Sequence, residues 1–347
     1  MKATIIGAGK TGYALAAHLL RENYEVVVYS RSQQKADFFE NNKLKVAGLL
    51  AGQYEVKTTS DLVAAVKQTD IIFVTTWANA HNEVVKNIAP LLSFKQTIIF
   101  LNGNWGALEA VSYLGYDKIN KLQLEIGETS GMPYVAEFKN KGYLEIKQIK
   151  ELVTLSIFNS EKEASEKVLK LFKQLYTSIE MARNIIATSL TALNPIIHVP
   201  VVIFNLARIE RQDNFPILVD GLTPKVANFI MKIDSERRVL AKQLGIPYNT
   251  IVVQLSEQWG RKFPDLPSLF STLETYKKLQ APKSFDSRFI VEDLPFGIDP
   301  LVKLGSELNV EVKSAELLSK LTHNVFGPKF EANLSFINKK NIDLVLN

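Results

Sequence analysis

The chain has 347 residues, of which 46% are apolar and 22% charged, with a formal net charge of +5 and no cysteine. That length exceeds one ordinary core and predicts two domains, the composition excludes a disordered chain, and the lack of cysteine excludes disulfides and cysteine-ligated zinc. The longest apolar run, 195–207, is too short to cross a bilayer, no leader pattern precedes the first strand, and the basic residues are scattered. A cytoplasmic chain with small-molecule substrates, and with neither nucleic-acid nor membrane partners, is expected.

Residues 3–6 read as a short apolar strand running into Gly7-Ala8-Gly9-Lys10-Thr11-Gly12, with a helix over 13–21 and a second strand over 25–29. Helices are predicted over 35–41, 61–67 and 83–92, and strands over 71–75 and 97–101. This alternation of apolar strand and amphipathic helix predicts a parallel, doubly wound sheet. Further on the pattern is less regular, with strands expected over 121–125 and 143–158. Ser160 and Glu163 form a capping box for a helix to 175. Long helical patterns follow over 185–209 and 223–244. The expected architecture is α/β: an N-terminal Rossmann domain over 1–183 and a mostly α-helical second domain over 184–347.

The glycine pattern carries the first chemistry. Gly7 permits a tight turn, Gly9 lets a pyrophosphate approach the backbone, and Gly12 lets helix and strand pack closely. Ala8, Lys10 and Thr11 complete the loop, and together these residues predict dinucleotide binding. An acid after the second strand would bind the ribose 2′-hydroxyl of NAD; here stand Ser30, Arg31 and Ser32, with no acid until Asp37. A guanidinium flanked by two hydroxyls suits a 2′-phosphate, which favours NADP(H) over NAD(H). Thr75, Thr76 and Trp77, and Asn102, Gly103 and Asn104, lie at the ends of the strands expected over 71–75 and 97–101, where such sheets hold their ligands.

There are four histidines, too dispersed for a metal site. His18 is expected at the surface, His323 reads as structural, and His81, which follows a strand near the cofactor end, is a rival catalytic candidate. Thr191, Asn194 and His198 share one face of a helix, a polar stripe in an apolar segment. On pattern alone His198 fits both a core histidine satisfied by its neighbours and one that faces a ligand. Pro195 and Pro200 are expected to kink or interrupt that helix.

At these residues the chain resembles the octopine/nopaline-type opine dehydrogenase family. The likeness is carried by GAGKTG at the start, IGETSGMPY at 126–134, TSLTALNPIIHVP at 188–200 and SRFIVEDLPFG at 287–297, and by the segment from Asp220. The resemblance implies an NAD(P)H-dependent enzyme that condenses an amino acid with a 2-oxo acid such as pyruvate, through an imine reduced by hydride. It implies a catalytic histidine at His198, an aspartate partner at Asp293, and Arg288 on a substrate carboxylate, with Thr129 and Asn194 also near substrate. A homodimer through the helical half is compatible with it. Residues 288 and 293 can face one pocket only in an irregular segment, and the alternative role for Arg288 is a salt bridge to Glu292. A ketopantoate-reductase-like 2-oxo acid reductase and a non-catalytic NADP(H)-sensing module are the competing readings.

Overall fold

The structure, a computed structural model, describes residues 1–32, 43–158 and 162–346. The chain divides into two compact units, Met1–Ser189 and Leu190–Asn347. The division falls six residues beyond the 183/184 expected from the sequence.

The first unit is built on an eight-stranded sheet. Its strands are β1 (Lys2–Ile6), β2 (Glu25–Tyr29), β5 (Lys57–Thr59), β6 (Ile71–Val74), β7 (Thr97–Phe100), β8 (Glu125–Thr129), β11 (Leu152–Phe158) and β12 (Ser178–Met181). They lie in the order β12-β11-β8-β7-β6-β1-β2-β5, parallel from β8 to β5, with β11 antiparallel to β8. β6 and β7 are buried along their whole length, which is why each reads as an unbroken apolar run and not as an alternation. The helix α1 (Lys10–Arg21) opens directly from the glycine turn. Where a strand was expected over 121–125, a helix occupies Tyr116–Leu122, ends at the left-handed Gln123, and gives way to β8. The expected helix at 35–41, Asp37 and the Ser160 cap lie outside the described residues.

A second sheet was not foreseen. β3 (Lys43–Gly48), β4 (Gly52–Glu55), β9 (Tyr134–Asn140) and β10 (Tyr143–Ile149) pair in the order β4-β3-β10-β9. Leu44, Val46, Leu144 and Ile146 join Tyr13, Ala14, Ala17 and other α1 residues in one buried cluster. This covering sheet corrects the expectation for His18. It is buried, with Nδ1 3.0 Å from the Tyr134 hydroxyl, which accepts from the Tyr176 hydroxyl at 3.0 Å. Burial, aided by nearby Arg21, lowers the His18 pKa to about 4, so the neutral ring accepts the Tyr134 proton.

The second unit is helical among its described residues. The expected long helix over 185–209 is broken into Ile185–Leu190, Asn194–Ile203 and Leu206–Glu210. Pro195 lies in the first turn of the middle helix, where its missing N–H costs nothing, and Pro200 lies inside it. Segment Ile185–Ile203 has a mean hydropathy of 1.6 but is 83% buried, the pattern of a core segment. Thr223 caps the 20-residue helix Pro224–Gln243 by accepting from the Val226 amide.

Tyr134→Phe would leave the His18 ring and the Tyr176 hydroxyl buried without their shared partner. The expected loss is about 1–3 kcal/mol of unfolding free energy, read from urea denaturation midpoints; an unchanged midpoint would contradict this placement.

Candidate active site

In the first unit the glycine turn shows why three glycines are needed. Gly7 has φ 127°, and a Cβ there would stand 2.6 Å from the Thr75 hydroxyl. A Cβ on Gly12 would stand 2.0 Å from the Gly7 carbonyl oxygen, so any larger residue would push α1 off the turn. Above Gly9 there is open space, and Gly9 caps α1 without a side-chain hydrogen bond. That leaves first-turn N–H groups at a positive helix end, which fits a dinucleotide pyrophosphate. The Thr75 hydroxyl donates toward the carbonyls of Ile6 (3.2 Å) and Gly7 (3.1 Å), tying the end of β6 to the turn.

A cleft of about 510 Å³ runs from this turn along the ends of β2 and β6. Of the residues that the sequence offered for a cofactor, Gly7, Ala8, Gly9, Ser30, Arg31, Ser32 and Thr75 line this cleft; Lys10, Thr11, Gly12 and Asn102 are not part of its lining. The Thr11 hydroxyl lies 3.6 Å from the Met132 sulfur. The Ser30 hydroxyl accepts from the Ser32 amide at 3.3 Å. Arg31 reaches Glu83 of helix His81–Ile88, with Nη1 3.0 Å from the carboxylate. Sequence reasoning missed Glu83 because it is far from Arg31 along the chain and lies in no motif. Trp77 and Asn79 also line the cleft.

The GETS segment ties neighbouring loops together. The Thr129 hydroxyl accepts from the Asn102 amide and donates to the Gly131 carbonyl, both at 2.9 Å, so it is engaged in holding loops. Its neighbour Glu128 is fully buried and accepts from the Thr188 hydroxyl (2.7 Å), the Ser189 hydroxyl and the Ala107 amide (3.1 Å). A Cβ on Gly103 would collide with Glu128 at 2.4 Å. The loop around Gly103 holds Asn102, Asn104 and Trp105 at φ 60°, 42° and 70°, a sparsely populated backbone for non-glycine residues. The Trp105 amide donates to Ser189 at 2.7 Å. His81, the rival candidate, is buried against Phe100, and burial lowers its pKa to about 4, which keeps it neutral.

In the second unit, His198 and Asn194 sit one turn apart on helix Asn194–Ile203, while Thr191 precedes that helix in a turn. The irregular segment that Arg288 and Asp293 require is present. Residues Arg288–Val291 make one short helical turn, and a π-helical turn follows over Leu294–Ile298. Gly297 lets that turn close on Pro195, since a Cβ would stand 2.2 Å from the proline ring. The result brings Asp293 Oδ2 to 2.7 Å from His198 Nδ1. The Asp293 side chain is 0% exposed and that of His198 is 11% exposed. The Phe289 ring, which no motif singled out, stacks on the imidazole with centroids 4.0 Å apart and planes 21° apart. Arg288 pairs with Glu292. Burial works against the Arg288 charge, but Glu292 and Asp293 outweigh it and raise its pKa. No cluster of metal-ligating side chains is present among the described residues.

A dinucleotide turn in one unit and a histidine–aspartate pair in the other define a nicotinamide-dependent oxidoreductase. Residues 181–326 match the family model of the NAD/NADP octopine/nopaline dehydrogenase α-helical domain, and residues 3–151 that of the ketopantoate reductases PanE/ApbA. The opine dehydrogenase of Arthrobacter sp. (strain 1C) is 26% identical over 332 residues, covering 94% of this chain and 91% of that protein. Octopine dehydrogenase in complex with NADH and agmatine superposes with a TM-score of 0.79 at 17% identity, covering 100% of this chain and 94% of that one. NADP+-bound yersinopine dehydrogenase gives 0.75 at 14%, covering 99% and 97%. The resemblance to the octopine/nopaline-type opine dehydrogenase family therefore holds across the chain.

Burial raises the Glu128 carboxyl from 4.5 to about 7, against three hydrogen bonds that favour the carboxylate. Between about pH 4.5 and 7 the folded chain keeps a proton that the unfolded chain has released, so this group's contribution to stability is lost as pH rises through 7. Glu128→Gln cannot ionise. Its unfolding free energy is expected to fall less than that of the natural chain between about pH 5 and 8, by a difference on the order of 3 kcal/mol. Urea titrations across that range read it, and parallel profiles would contradict the assignment.

Proposed function

We propose that the protein is an opine dehydrogenase that favours NADP(H) and joins an amino acid to a 2-oxo acid such as pyruvate. The observation that carries the reading is the pairing of a fully buried Asp293 with a partly open His198 at 2.7 Å. A carboxylate oxygen only accepts, so Nδ1 of His198 donates to it and Nε2 is the end left for a substrate. The amine nitrogen attacks the carbonyl carbon of the 2-oxo acid, water leaves, and a C=N bond forms. Bound NADPH supplies the hydride that reduces this carbon. His198 Nε2 exchanges the protons that carbonyl addition and loss of water require, and Asp293 fixes its tautomer and stabilises the imidazolium. Arg288, held by Glu292, offers its remaining guanidinium edge to a substrate carboxylate, and Asn194 lies on the same helix face as His198.

Arg31 between Ser30 and Ser32 supports NADP(H) in the cleft. The chemistry of opine formation, the cytoplasmic location and a homodimeric assembly belong to this proposal. A second reading, a reductase of a C=O group, draws on the ketopantoate-reductase match of residues 3–151. The two differ in whether an amine is needed.

NADPH oxidation with pyruvate is expected only when one of a panel of amino acids is added, and oxidation by pyruvate alone would overturn the opine reading. His198→Ala is expected to bind NADPH as the natural chain does while losing roughly 10²- to 10⁴-fold in kcat. Unchanged turnover would remove His198 from the mechanism.

A further inference from the structure

The end of β2 carries no acid, which on sequence grounds leaves Arg31 unopposed for a 2′-phosphate. The fold supplies an acid from elsewhere. Glu83, in the first turn of helix His81–Ile88, lines the same cleft as Arg31 and holds its Nη1 at 3.0 Å. The side chains are 76% and 57% exposed, so this ion pair adds little to folding. Its effect falls on what enters the cleft.

We propose that Glu83 is a specificity-determining residue that restrains the preference for the phosphorylated cofactor, an inference that rests on the cofactor reading above. A 2′-phosphate binds best when a guanidinium presents two parallel N–H donors. Here one arm of that fork is held by a carboxylate. To bind NADPH, the cleft must release Arg31 from Glu83 or accept a doubly charged phosphate beside a carboxylate, and like charges at that distance repel. NADH meets neither cost. Its 2′-hydroxyl is uncharged, and it can donate to a carboxylate as it does to the acid that other dinucleotide sites carry after the second strand. Arg31 and Glu83 thus act as opposing selectors on one ribose, one drawn from each side of the cleft.

The test is the dissociation constant of NADPH and of NADH, measured by fluorescence titration on the full chain and on its Glu83→Gln variant, at one low and one high salt concentration. Removing the charge is expected to tighten NADPH by about 3- to 10-fold at low salt while NADH stays within about twofold, with a smaller gain at high salt. Glu83→Ala is expected to act in the same direction. Both substitutions fall on an exposed surface pair. If the natural chain and the variants bind both cofactors with the same NADPH-to-NADH ratio, or if NADPH weakens, the selector role is overturned and the cofactor reading stands. If the natural chain binds neither cofactor, the cofactor reading itself is overturned.

Discussion

A carboxylate with no exposure to water must find a donor inside the protein, and Asp293 finds the Nδ1 of His198. Much of the second unit's local architecture serves that one bond. Pro195 starts the helix that carries His198, and Gly297 lets the π-helical turn after Asp293 lie on Pro195. π-turns are uncommon and often mark functional sites; this one starts directly after Asp293 and packs on the helix that carries His198. The Phe289 ring then fixes the plane of the imidazole. With one nitrogen bound and one face stacked, the ring's remaining freedom lies at Nε2.

The first unit solves a different problem, which is to present backbone N–H groups to an anion without side chains in the way. Gly7 and Gly12 close the turn, Gly9 leaves it open, and the Thr75 hydroxyl anchors it from β6. Beneath the neighbouring loops lies Glu128, whose three donors come from Ala107, Thr188 and Ser189. It holds a strained turn in place at the cost of burying an ionisable group. The loops of this unit are thus organised by a buried acid, and its cleft is lined by the exposed Arg31–Glu83 pair.

Local features were legible in the sequence and distant pairings were not. The strand, glycine turn and helix of residues 2–21 are contiguous, and their pattern announced them. β6 and β7 were legible because full burial writes an unbroken apolar run. The second sheet was hidden because its central pairing joins Lys45 to Tyr143, and its strands are half exposed. That sheet also buries His18, which would otherwise lie on an outer helix face. The helix expected over 185–209 is interrupted at residues 191–193, just before Pro195 as that proline predicted, and again near Asn205, where the apolar pattern continues and periodicity registers no break. His198 and Asp293 were placed by their motifs. Phe289 and Glu128 had no signal beyond lying in them, and Glu83 had none, since each gains its meaning from a partner distant in sequence or from a ring stacked upon it.

The most direct test of the central claim is the tautomer of His198, read from the ¹⁵N shifts of its ring in the labelled full-length chain at a pH where the imidazole is neutral. The structure predicts a proton on Nδ1, donated to Asp293, with Nε2 bearing the lone pair, and loss of that preference in Asp293→Ala. A proton on Nε2 in the natural chain, or a tautomer unchanged by the substitution, would contradict the account.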